Sequence, residues 1–177
     1  MTSDRTDIRK QVEDSSGLLK KIQLVIPGFR GYRELEDLRV ADELLRRQVA
    51  LSLQKGLNSL REGRRTLVEK GDYTYLERVA SLISRLQQLE GQVEHAEQVY
   101  SGISPMIRVG QDTLNSLYDY DFAFIDTASK LSSGCEIAGA VGTDGFEGLL
   151  DGVDNAIAGF KSAFDNRIRT VEKIQVK

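Results

Sequence analysis

The segment LERVASLISRLQQLEGQVEHAEQVY, residues 76–100, decides the fold. Its apolar side chains recur at Leu76, Val79, Ile83, Leu86, Leu89, Val93, Ala96 and Tyr100, in steps of three and four. That period gathers them on one stripe of an α-helix and turns the Glu, Gln, Arg and Ser positions outward, whereas a strand requires a period of two. The spacing is close to a heptad seam, so the helix needs partner helices to cover it. Thr74 and Glu77 stand in a capping-box relation and predict its start.

The same period extends in both directions. Upstream, Leu38, Ala41, Leu45, Val49, Leu53, Leu57, Leu60 and Leu67 mark a helix over about 34–68, roughly 50 Å long at 1.5 Å per residue. Gly56 and Gly63 interrupt it, and the propensity cost of glycine predicts a bend or fraying in its second half. A first helix over about 6–25 carries Ile8, Val12, Leu19 and Ile22, with Ser15-Ser16-Gly17 as a weak point.

Downstream, Ser104-Pro105 reads as a helix start, since proline fits the first helical position. The stripe that follows is Met106, Ile107, Leu114, Leu117, Phe124, Ile125, Ala128 and Leu131. Residues 132–143, SSGCEIAGAVGT, are small and glycine-rich and read as a flexible linker. A fifth helix, capped by Asp144 and Glu147, carries Phe146, Leu150, Val153, Ile157, Phe160, Phe164, Ile168 and Val171. Arg167, Arg169 and Lys173 fall near its C-terminus, where cations complement the helix dipole.

The expected fold is all-α, an up-and-down antiparallel bundle of four to five helices, because short turns between long helices place them side by side. The expected organisation is a helical bundle over 1–131, a Gly/Ser-rich linker over 132–143, and an amphipathic C-terminal helix over 144–177 that packs on the bundle or on a partner.

Composition narrows the function classes. The chain of 177 residues has 24 Lys and Arg against 27 Asp and Glu, for a net charge of −3. Nucleic-acid binding is driven by counterion release and calls for a basic surplus, which is missing here. Across the break and the start of the second helix, Arg30, Arg33, Arg39, Arg46 and Arg47 are matched by Glu34, Glu36, Asp37, Asp42 and Glu43. No apolar run approaches the ~20 residues needed to span a bilayer, so integral membrane association is not expected. The polar face of the last helix mixes Asp144, Glu147, Asp151, Asp154, Asp165 and Glu172 with Lys and Arg, which speaks against attraction to anionic lipid. The single cysteine and the charged N-terminus point to a cytoplasmic protein.

The residues do not assemble a catalytic set. With one histidine, His95, and one cysteine, Cys135, neither a di-iron Glu-x-x-His bundle nor a His/Cys zinc site is expected, and no cofactor is implied. Glu90, Glu94 and Glu97 read as a solvated acidic face. Asp121 is different, because it interrupts the apolar stripe Leu114, Leu117, Phe124, Ala128. A carboxylate there must be paired, hydrogen-bonded or at the core's edge. An arginine of the second or third helix is the expected partner, with Arg39, Arg46 and Arg85 as candidates; exposure at the stripe edge and a ligand role stand beside it.

Ile26-Pro27-Gly28-Phe29-Arg30-Gly31-Tyr32-Arg33 forms a break between the first two helices. Proline presets φ and glycine permits φ > 0, as a tight connection requires. Phe29 and Tyr32 fit a plug for the end of the bundle. Alternatively, Arg30 and Arg33 lie near the N-terminus of the second helix, whose free N–H groups suit an anion.

The order of this break, the following RVADELLR (39–46), AEQVYSGI (96–103) and LYDYD (117–121) resembles a small family of uncharacterised prokaryotic helical proteins. In that family an Arg-Gly-Tyr break precedes a helix with an Arg…Ala-Asp…Leu-Leu-Arg pattern. The resemblance implies a helical fold and a focal region, and no reaction.

Two functions are therefore expected. The first is a non-enzymatic protein–protein interaction or scaffold module, with a protein partner or a second copy of the chain as its target and homodimerisation as one form. The alternative is a small-ligand or anion-binding bundle that uses Phe29, Arg30, Tyr32 and Arg33, with Arg39, Asp42, Arg46 and Asp121 behind them.

Overall fold

A computed structural model describes residues 17–29, 35–96 and 111–175, with side chains over 17–29, 40–96 and 115–171. The helices are α1 (17–25), α2 (Leu35–Glu69), α3 (Leu76–Glu94), α4 (Gln111–Gly134) and α5 (Phe146–Gln175), with a 3-10 turn at Ala138–Ala140. Among the described residues there is no strand, and the chain is an all-α bundle, as its periodicity predicts. Among the described residues no helix is long and apolar enough to cross a membrane.

The direction of the helices alternates along the chain. α2 packs on α3 and on α4, and α5 packs on α4 and on α3, which makes a four-cornered arrangement. Contacts fix the sense of each pair. Arg46 of α2 reaches the Glu94 carbonyl at the far end of α3, so these two run antiparallel. Phe124 of α4 stacks on Phe160 and Phe164 of α5, while Asp121 pairs with Arg167, so these also run antiparallel. Tyr75 meets Phe146 edge to face, and Arg85 pairs with Asp154, so α3 and α5 run the same way as neighbours.

The seams follow the heptad steps. α3 buries Val79, Leu82, Leu86, Leu89 and Val93. Leu82 takes the place expected for Ile83, which is only partly buried, while Val79, Leu86, Leu89 and Val93 are buried as expected. α5 buries Phe146, Leu150, Val153, Ile157, Phe160, Phe164 and Val171 against its own bundle. A core with Phe124, Phe146 and Phe160 all fully buried gains strongly from apolar transfer, about 2 to 3 kcal/mol for each such ring.

Three local expectations are corrected. Gly56 and Gly63 do not fray α2, which runs unbroken to Glu69. They are points of close approach: a Cβ on Gly63 would lie 2.5 Å from Ile137 Cγ1, and one on Gly56 would lie 3.3 Å from Cys135 Sγ. The capping box before α3 does not form; the N-cap is Tyr75 without a side-chain bond, and the Thr74 N–H instead donates to Asp72 Oδ1 at 3.1 Å. An Asx-type turn thus competes successfully with the box. The segment expected as a flexible linker carries buried Cys135, Ile137 and Val141. Lys70 Nζ donates to the Val141 carbonyl at 2.6 Å and ties this segment to the end of α2. Its apolar side chains supply enough burial to outweigh the freedom of its glycines.

The break after α1 begins as the sequence predicts. The Phe29 N–H donates to the Ile26 carbonyl at 3.2 Å, and Gly28 has φ 86°, a turn with proline first and glycine second. Ile26 and Phe29 are buried, and Gln23 Nε2 caps the Phe29 carbonyl at 3.1 Å. The weak point at Ser15-Ser16, the end of the third helix's stripe at Tyr100 and the Ser104-Pro105 start lie outside the described residues.

Candidate functional site

The helical period of α2, which buries Ala41, Leu45, Val49 and Leu53, also brings Asp42 and Arg46 onto the inner face, where a side chain normally has to be apolar. They are i and i+4 on one helix, and Arg46 Nε donates to Asp42 Oδ2 at 2.7 Å. Arg46 Nη1 also donates to the Glu94 carbonyl at 3.1 Å, so its charge caps the C-terminal end of α3.

The second half of the cluster comes from α4 and α5. Arg167 Nε donates to Asp121 Oδ1 at 2.7 Å, and Arg167 Nη2 lies 2.8 Å from Asp42 Oδ1. The latter approach has the distance of an ion pair but not the angle of a hydrogen bond, since Asp42 Oδ1 accepts none from the described residues. The Arg167 guanidinium also sits 5.7 Å from the centre of the Phe124 ring. The four residues form a chain, Arg46–Asp42–Arg167–Asp121, with two positive and two negative groups. None is more than 7% exposed.

Burial pushes the Asp121 carboxyl up to about 6, against the charge and the hydrogen bond of Arg167, which pull it down. This is the behaviour of a carboxylate whose desolvation outweighs one good partner. Cys135, the lone thiol, is buried, and burial pushes it up to about 12, so it stays protonated and unreactive near neutral pH.

The partner of Asp121 differs from the expectation. It is Arg167 of α5, not an arginine of α2 or α3. Arg46 is taken by Asp42 and reaches Asp121 only through Asp42 and Arg167. Arg85 stands on the surface and pairs with Asp154, beside an Arg78–Asp151 pair. Arg167 looked like a dipole-complementing residue because it lies near the C-terminus of α5. The available signal was its position, three residues after Phe164 and four before Val171, which is a seam position.

Of the other candidates, Phe29 is a core residue at 3% exposure and offers no ring to a ligand. Asp42, Arg46 and Asp121 come together and are occupied by one another and by Arg167. Arg30, Tyr32 and Arg33, and the side chain of Arg39, lie outside the described residues. His95 is exposed at the end of α3. Among the described residues no group of three or more His, Cys, Asp or Glu could hold a metal ion.

The surface offers two open grooves along α2. One, of about 410 Å³, runs between α2 and α3 and is bordered by Glu43, Arg46, Arg47, Ala50, Glu90 and Glu94. The other, of about 680 Å³, runs between α2 and the 3-10 turn and is bordered by Lys55, Asn58, Ser59, Glu62, Glu136 and Gly139. Leu51 and Gln54 line both, so the grooves join into one track. Leu51 is 54% exposed and is the apolar side chain at that junction. No protein-family model, curated protein or solved structure matches the chain.

Proposed function

We propose that the chain is a non-enzymatic interaction or scaffold module that meets a protein partner along the outer face of α2. The observation that supports this is the pair of joined grooves with Leu51 at their junction. Between Glu43 and Glu62 the track follows α2 for about 28 Å at 1.5 Å per residue. That length suits an extended protein surface or a helix better than a small molecule, whose sites are enclosed and mostly apolar. The rim is mixed in charge, with Arg47 and Lys55 among Glu43, Glu62, Glu90, Glu94 and Glu136. An apolar anchor inside a polar rim is the usual anatomy of such a contact.

The anion-binding alternative receives less support. The arginine and carboxylates that would stand behind the Ile26–Arg33 loop neutralise one another inside the bundle.

A photo-reactive amino acid placed at Leu51 in the full-length chain tests the reading, with the same substitution at exposed Ser81 of α3 as the reference. In cells of the native source, a discrete protein adduct from position 51 and none from position 81 is expected. An adduct at the mass of two chains would identify the partner as a second copy. Equal labelling at both positions, or none at position 51, rejects the α2 face as the docking surface.

A further inference from the structure

The buried quartet stands on seams that are otherwise apolar and repetitive. In α5 the inward positions Phe146, Leu150, Val153, Ile157, Phe160, Phe164, Arg167 and Val171 follow one another in steps of four and three. In α4 the matching positions are Leu117, Asp121, Phe124, Ala128 and Leu131. Such a stripe does not specify its own register, because sliding α5 by one heptad, about 10 Å along its axis, sets apolar side chains against apolar side chains again.

The surface ion pairs cannot resolve this ambiguity. Arg78 and Arg85 lie one heptad apart on α3, and they face Asp151 and Asp154 of α5. After a slide of one heptad toward the C-terminus of α3, Asp151 leaves Arg78 and reaches the level of Arg85 as Asp154 moves past it, so charge still meets charge. The connection over 135–145 would have to adjust, at the cost of the buried seats of Cys135, Ile137 and Val141. The same slide carries Arg167 away from Asp42 and Asp121 and breaks both of its buried ion pairs, leaving Arg46 as the cation on Asp42. A desolvated, unpaired charge is the costliest defect a core can hold, whereas a buried pair adds little net stability over apolar residues.

We infer that the Arg46–Asp42–Arg167–Asp121 quartet is a register key: it holds α5 on its own chain in one alignment. Its contribution is uniqueness of the fold. The key spans α2, α4 and α5 and reaches the end of α3 through the Glu94 carbonyl, so a misplaced α5 breaks the contacts of Arg167 with both Asp42 and Asp121 at once, while Arg46 stays on Asp42.

The test compares the full chain with a variant in which the quartet is made apolar, Asp42→Leu, Arg46→Met, Asp121→Leu and Arg167→Met. A second variant, Asp121→Leu with Arg167→Met, keeps the Asp42–Arg46 pair. Spin labels at exposed Ser81 and Ser162, in a Cys135→Ala background, report the axial position of α5 against α3 by pulsed distance measurement, and light scattering reports mass. The unsubstituted chain is expected to give one distance. The apolar variants are expected to stay helical and cooperative. Their population outside the native distance should rise at least about tenfold, either as an alignment displaced by one heptad or as an exchanged dimer, because the penalty on unpaired buried charge is gone. A single native distance and unchanged mass in both variants overturns the proposal. Loss of folding in both does so as well, since it would make the quartet a source of stability and not of alignment.

Discussion

Arg167 Nε lies 2.7 Å from Asp121 Oδ1, and the two residues, 46 positions apart in sequence, are both shielded from water. The pair joins α4 to α5 at a level where every other inward side chain of the two helices is apolar. Removing one member therefore differs sharply from removing both. Arg167→Met takes from buried Asp121 the guanidinium hydrogen-bonded to it and deprives Asp42 of one of its two cations. Urea unfolding should show a loss of about 3 to 5 kcal/mol, the usual cost of a stranded buried charge. Arg167→Met combined with Asp121→Leu should recover more than half of that loss, because the stranded carboxylate is then gone. A double variant as weak as the single one would contradict this account of the pair.

Asp121 also sets a pH dependence. Its carboxyl is held at about 6, above the ordinary value of 3.8, with burial as the leading cause. A folded-state pKa above the unfolded one means that the folded protein binds the proton more tightly. The stabilising contribution of this group is thus fully present below about pH 4 and is lost as the pH rises through about 6. A shift of roughly two units corresponds to about 3 kcal/mol. Other carboxylates titrate in the same range, so the measurable quantity is the stability of the unsubstituted chain minus that of Asp121→Asn. That difference should fall by up to about 3 kcal/mol between pH 4 and pH 6.5. A difference that is flat, or that rises with pH, would show that Arg167 outweighs burial at this carboxylate.

These residues also show how far the fold could be read from sequence. The period of residues 76–93 predicts α3, and the same logic finds the inner faces of α2, α4 and α5, because a heptad stripe is a local property. Asp121 is legible as a buried, paired carboxylate for the same reason: it sits on a stripe that excludes unpaired charge. Its partner is not legible. Pairing is a property of which helices become neighbours, and α5 reaches Asp121 only because it packs antiparallel to α4. The joined grooves are likewise invisible in one dimension, since they arise where α2 meets α3 on one side and the 3-10 turn on the other. Gly63 was misread for a related reason. Helix propensity counts the cost of a glycine but not the neighbour that occupies the space of its missing Cβ.

That last point gives a sharp contrast between two glycines. On propensity alone, alanine at either Gly63 of α2 or Gly152 of α5 stabilises a helix by about 1 kcal/mol. At Gly152 no atom lies within 4 Å of the added methyl, and the residue is exposed, so the gain should appear in full. At Gly63 the methyl would stand 2.5 Å from Ile137 Cγ1 and 2.8 Å from Ile137 Cδ1. Ile137 is itself buried, and its β-branched side chain has few rotamers into which to retreat. Relief requires moving the segment after α4 outward, with overpacking costs of about 1 to 3 kcal/mol. Gly152→Ala should therefore raise the urea midpoint, and Gly63→Ala should lower it. Ile137→Val in the Gly63→Ala chain should restore part of the loss, because it removes Cδ1, one of the two atoms in conflict. If Gly63→Ala stabilises the protein as much as Gly152→Ala, the close contact between α2 and the 3-10 turn segment is not present in solution.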